Sequence, residues 1–189
     1  MKHLFQASLV LFLASAPALA QKMGSANTDA PVCSESITFK SGETIKLEYQ
    51  ASVWGKTIER AMDKEKGERA RTMINTSAEK TPIGAFSTSS DIQIGDKAVA
   101  SGDYTLAFTI NAEAIWHLVL VAKSDATKKV EIPLQLHDAG KEAKRLRIDL
   151  AAGETSKSAE LSLCIGKLHT TLTVAKSAGK SAEPASHGK

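Results

Sequence analysis

The stretch Asp103-Tyr104-Thr105-Leu106-Ala107-Phe108-Thr109-Ile110 decides the fold class. Tyr104, Leu106, Phe108 and Ile110 alternate with Asp103, Thr105, Ala107 and Thr109. A period of two gathers apolar side chains on one face only when the backbone is extended, because successive side chains of a strand point to opposite sides. The same period recurs in both directions along the chain. Ile45, Leu47 and Tyr49 alternate with Lys46 and Glu48; Leu146, Ile148 and Leu150 alternate with Arg145, Arg147 and Asp149; Leu161, Leu163 and Ile165 alternate with Glu160, Ser162 and Cys164. Leu168, Leu172 and Val174 form the apolar set of a threonine-rich final strand, and residues 37–39, 92–94 and 132–136 are shorter strand candidates. Residues 116–121 are apolar on both faces apart from His117, the pattern of a central strand covered on both sides.

Turn residues punctuate these strands. Lys40-Ser41-Gly42-Glu43 separates two of them at hairpin distance, Gly95-Asp96 and Ser101-Gly102-Asp103 flank a short linking piece, and Ala152-Gly153-Glu154 precedes the next-to-last strand. Gly166-Lys167 is expected to be a two-residue hairpin turn between the last two strands. Many short strands with frequent turns and no long apolar helix predict an all-β fold, a single antiparallel β-sandwich of jelly-roll-like type. Residues 55–80 depart from the pattern. Glu59-Arg60-Ala61-Met62-Asp63-Lys64-Glu65-Lys66 places opposite charges at helical spacing, and Gly67 follows directly. This charged excursion reads as a short surface helix interrupted at Gly67 or, preferably, as a solvated loop between sheet halves; long irregular excursions often carry function.

The ends of the chain differ from its body. Residues 1–20 comprise Met1-Lys2-His3, an apolar run from Leu4 to Leu13, and small residues ending in Ala18-Leu19-Ala20, the pattern of an export signal cleaved before Gln21. The run is shorter than the roughly 20 apolar residues a membrane span needs, and no other run is longer. Segment 21–32 reads as a linker, 33–175 as the β-sandwich domain, and 176–189 as a disordered basic tail with no large apolar residue. The 189-residue chain has a net charge of +3, but residues 33–175 hold 19 Lys+Arg against 19 Asp+Glu. A neutral body without a basic groove argues against nucleic-acid binding. The mature protein is expected in the periplasm or outside the cell, with no membrane span.

The two cysteines, Cys33 and Cys164, are an even count in a chain with an export signal, which favours a disulfide. Such a bridge would tie the N-terminal segment to a C-terminal strand. Closing a loop of roughly 130 residues stabilises by up to about 4–5 kcal/mol in the chain-entropy model. Outside the signal and tail the histidines are His117, His137 and His169. They have no local metal-ligand spacing, so a zinc site assembled from them in space is the weaker alternative to three surface or strand-end histidines. Nucleophile-elbow and phosphate-cradling motifs are absent, and no motif calls for a cofactor. Tyr49, Tyr104 and Trp116 share the apolar faces of their strands and belong to the core. Trp54, before Gly55-Lys56, is the candidate exposed aromatic.

From residue 35 to 175 the chain resembles a known family. Asp91-Ile92-Gln93-Ile94-Gly95-Asp96-Lys97-Ala98-Val99-Ala100-Ser101-Gly102-Asp103-Tyr104-Thr105-Leu106 is similar to the family's strand, Gly-Gly/Asp-Lys turn, aliphatic-Pro/Ala-Ala-Gly element and x-Tyr-Ser/Thr-Leu. Trp116-His117-Leu118-Val119-Leu120 resembles its next strand, and Gly42-Glu43-Thr44-Ile45-Lys46-Leu47-Glu48-Tyr49 its opening hairpin. Ala51-Ser52-Val53-Trp54-Gly55-Lys56 resembles Pro-Ser-x-x-Gly-Arg with Ala51 for the proline. Leu161-Ser162-Leu163 and Gly166 follow Leu-x-Leu-x-Trp-Gly with Ile165 for the tryptophan. The family is the exported bacterial domain-of-unknown-function 2911 family. Its Trp-Arg-x-Gly-Ala-Asn segment corresponds to Ala70-Arg71-Thr72-Met73-Ile74-Asn75, which keeps Arg71 and Asn75 and lacks the tryptophan and glycine. The resemblance implies a β-sandwich-like fold, bacterial export and no established activity.

The resulting expectation is a non-catalytic module that binds an unidentified envelope or extracellular ligand, with Arg71, Asn75 and Trp54 as candidate ligand-binding residues. The alternatives are a hydrolase with a spatially assembled His/acid or metal site, and a structural accessory domain without a ligand.

Overall fold

The computed structural model describes residues 29–53 and 55–177. The expected export signal, most of the linker, Trp54 and residues 178–189 lie outside them. Ten strands and two helices follow in the order β1 (Val32–Thr38), β2 (Thr44–Gln50), α1 (Lys56–Ala61), α2 (Glu68–Lys80), β3 (Gly84–Thr88), β4 (Ile92–Ile94), β5 (Lys97–Val99), β6 (Gly102–Ile110), β7 (Trp116–Ala122), β8 (Lys129–Leu134), β9 (His137–Ala152) and β10 (Ser158–Lys176). Every ladder is antiparallel. A six-stranded sheet runs β1-β2-β3-β6-β7-β8 and a four-stranded sheet runs β5-β4-β10-β9. The edge strand β1 lies beside β9, and β5 lies beside β8, so the sheet edges face each other without closing into a barrel.

The alternation read from the sequence becomes the core. Ile45, Leu47, Leu106, Ile110, Leu118 and Leu120 of the first sheet meet Ile92, Ile94, Ile148, Leu161, Leu163 and Val174 of the second, all at most 4% exposed. Each such side chain gains about 1.5–3 kcal/mol by leaving water. Ala107 and Val119, whose side chains alternate to the outer face, are also buried, so β6 and β7 are covered on both sides. Tyr49 bridges the sheets: its hydroxyl accepts a hydrogen bond from the Ile148 N–H at 2.9 Å, and burial pushes the phenol up to about 12.

The excursion between β2 and β3 corrects the expected solvated loop. It forms two helices whose Ile58, Ala61, Ala70 and Ile74 join the core. Gly67 does not merely interrupt a helix; it begins α2. A Cβ there would lie 2.3 Å from the Asp63 carbonyl oxygen and 2.6 Å from that of Arg60, so the tight link between α1 and α2 requires glycine.

Gly166-Lys167 corrects a second expectation. β10 continues through it as a single 19-residue strand. The ladder with β9 changes register between Cys164 and Gly166 and again between Gly166 and Leu168, and Gly166 has a φ of 57°. The extra residues sit on β9, and Gly166 takes its positive φ on the opposing strand without ending it. No helix among the described residues is long and apolar enough to cross a membrane.

Candidate functional site

The outer face of the six-stranded sheet carries a broad trough of ≈ 500 Å³. Strand pairing assembles it from distant residues. Ser36 of β1 lies opposite Lys46 of β2, Lys46 opposite Ser87 of β3, and Ser87 opposite Asp103 of β6. The row ends at Lys123, whose N–H bonds the Asp103 carbonyl at 2.9 Å. The next row runs Ser34, Glu48, Ala85. These side chains point outward because their neighbours Ile45, Leu47, Tyr49, Phe86 and Tyr104 point into the core. Small residues separate the charged ones, so the floor is low while two lysines, Lys46 and Lys123, and three acidic residues, Glu35, Glu48 and Asp103, stand around it. That arrangement offers donors and acceptors over a shallow, open surface and suits a polar ligand.

Arg71 and Asn75 do not line this trough. Arg71, 6% exposed, spends its guanidinium on the α1–α2 link: Nη1 donates to the carbonyls of Ala61 at 3.1 Å and Asp63 at 2.7 Å, and Nη2 to that of Lys64 at 3.1 Å. Backbone N–H groups of Glu65 and Lys66 bonded to Asp63 hold its carboxyl below the usual range. Asn75 acts as a strand partner for Ile110. Its Nδ2 donates to the Ile110 carbonyl and its Oδ1 accepts from the Ile110 N–H, both at 2.9 Å. Both residues border a shallow hollow beside Glu68 and Asn111, but their polar groups are committed to the backbone. In this structure both side chains brace the wall of that hollow through these hydrogen bonds. Trp54 is outside the described residues.

The expected Cys33–Cys164 bridge is not formed; both thiols are free. Cys33 pairs with Tyr49 in the first sheet and Cys164 with Arg147 in the second, which leaves β9 between them. Of the three histidines, two meet. His137 and His169 are direct partners at the end of the β9–β10 ladder, with ring centres 6.0 Å apart. His117 lies on β7 between Thr109 and Pro133, outside the cleft that the other two line. Among the described residues no group of three or more His, Cys, Asp or Glu is placed to hold a metal ion.

No family model, no curated protein and no solved structure matches the chain. A second cavity, between the sheets, is apolar and only ≈ 30 Å³, room for a water and not for an organic ligand. Ser52 borders it, and its buried Oγ has no hydrogen-bond partner among the described residues. The trough was not singled out from the sequence. Its signal is the set of small and charged residues at the polar positions of β1, β2, β3 and β6, and it has meaning only once those strands are known to be neighbours.

Proposed function

We propose that the chain is an exported, non-catalytic binding module of the bacterial envelope or exterior, a member of the domain-of-unknown-function 2911 family it resembles, and that it holds a hydroxyl-rich ligand such as an envelope glycan on its outer sheet face. The observation that carries this reading is the row Ser36, Lys46, Ser87, Asp103, Lys123 across adjacent strands. Hydroxyl, ammonium and carboxylate groups offer both donors and acceptors to sugar hydroxyls, and each charged hydrogen bond contributes about 1.5–3 kcal/mol. The backbone of this face is fixed by the core behind it, so the ordering cost of binding falls mainly on side chains such as Lys46 and Lys123.

The test is titration of the purified protein with soluble peptidoglycan fragments and bacterial polysaccharides. Saturable binding is expected, weakened about 10-fold or more by Lys46→Ala or Asp103→Ala, and abolished when Ser87→Trp fills the trough. Absence of glycan binding, or binding that Ser87→Trp leaves intact, overturns the proposal. Turnover of any of these substrates would favour the alternative, a hydrolase with a site assembled in space.

A further inference from the structure

We propose that His137 and His169 form a two-histidine site for a borderline divalent transition-metal ion such as Zn²⁺, separate from the glycan trough and sharing no lining residue with it. The two rings face each other across the β9–β10 ladder with centres 6.0 Å apart and planes 55° to one another. With about 2.0–2.1 Å from nitrogen to zinc, two imidazoles that share one ion have ring centres on the order of 5–6 Å apart, which the present 6.0 Å already matches. A backbone contact favours one tautomer of His169. His169 Nδ1 lies 3.3 Å from the His137 carbonyl oxygen. A carbonyl only accepts, so this contact favours the tautomer in which Nδ1 donates and the lone pair of the neutral ring is on Nε2. This is the arrangement found at protein metal sites, where one ring nitrogen donates to a carbonyl and the other ligates.

The surroundings suit a solvent-accessible ion. His137 is exposed and His169 half-buried, at the mouth of a cleft of ≈ 480 Å³ whose walls include Gln135, Thr171 and Asp96. Asp96 is held by Lys97 at 3.1 Å, and no third ligand completes a closed cluster among the described residues. A tetrahedral ion would therefore keep two positions for water or for a donor from another molecule. Imidazole ligands select Zn²⁺, Ni²⁺ or Cu²⁺ over the oxygen-seeking Mg²⁺ and Ca²⁺.

The test is calorimetric titration of the full chain with zinc chloride at neutral pH, beside His137→Gln, His169→Gln and His117→Gln variants whose folding is verified by circular dichroism. One zinc ion is expected to bind the wild type and the His117→Gln variant equally. Each of the other two substitutions should weaken it by about 10-fold or more. Magnesium should produce no heat of binding. His3 and His187 remain in every variant, so zinc binding that survives both His137→Gln and His169→Gln belongs elsewhere and overturns the site. A wild type that does not bind zinc overturns it equally.

Discussion

Arg71 illustrates how a side chain with the right chemistry for a ligand is spent on the fold. The link between α1 and α2 turns so sharply that the carbonyls of Ala61, Asp63 and Lys64 point into one small volume. The Ala61 carbonyl is buried and those of Asp63 and Lys64 are partly so, and a guanidinium supplies donors to all three from one planar group. The identity of Arg71 was plain in the sequence; its partners seven to ten residues earlier depend on a turn the local pattern did not specify. Asn75 is the same case over a longer span, since Ile110 is 35 residues away. Arg71→Met keeps the helix and the apolar stem and removes the donors. It is expected to lower the unfolding free energy by about 1.5–3 kcal/mol. Chemical denaturation measures this, and an unchanged midpoint would mean the carbonyls find water instead.

Among the elements, the hairpins were the most legible. The turn at Lys40-Ser41-Gly42-Glu43 joins β1 to β2 as read, with Gly42 at a φ of 96°. Its consequence for the opposite sheet was not legible. The Glu43 carboxylate pairs with Lys176 at the end of β10 and accepts a hydrogen bond from Ser41, and these partners lower its pKa from 4.5 to about 2. A carboxyl whose folded pKa lies below its unfolded value stabilises the fold above the unfolded pKa. That contribution is lost as pH falls from about 4.5 towards 2. Glu43→Gln is therefore expected to lower the thermal midpoint at neutral pH and to match the wild type near pH 2. Melting curves across that range decide it, and a difference that persists at the acid end would rule out the ion pair as its source. Gly166-Lys167 shows why the other turn was misread. A positive-φ glycine in a strand-like sequence serves both a hairpin and a bulge. Only the pairing of β9 against β10 selects between them.

For the molecule as a whole, the question is what holds the two sheets together. A long-range disulfide is absent, and the sheets are joined by the shared apolar core and by contacts such as Tyr49 to Ile148. A reducing agent is therefore expected to leave the thermal midpoint unchanged. Had a bridge closed a loop of roughly 130 residues, its reduction would cost up to about 4–5 kcal/mol and lower the midpoint by many degrees. Melting with and without reductant, with a free-thiol count on the unfolded chain, separates the two cases.

The sequence by itself did not determine the core residues of α1, α2 and β3, but it determined the fold class, the core residues carried by the alternating strands and most strand positions. Those depend on a local rule: side chains two apart share a face, so the apolar period is visible without any knowledge of neighbours. It also determined that residues 33–175 are neutral in total. Only the tertiary structure decided which strands lie side by side. That choice placed Ser36, Lys46, Ser87, Asp103 and Lys123 in one row, brought His137 to His169 while leaving His117 apart, and kept Cys33 from Cys164. Strand order is set by the packing of the complete core, to which every strand contributes at once, and a periodicity of two is the same for any order.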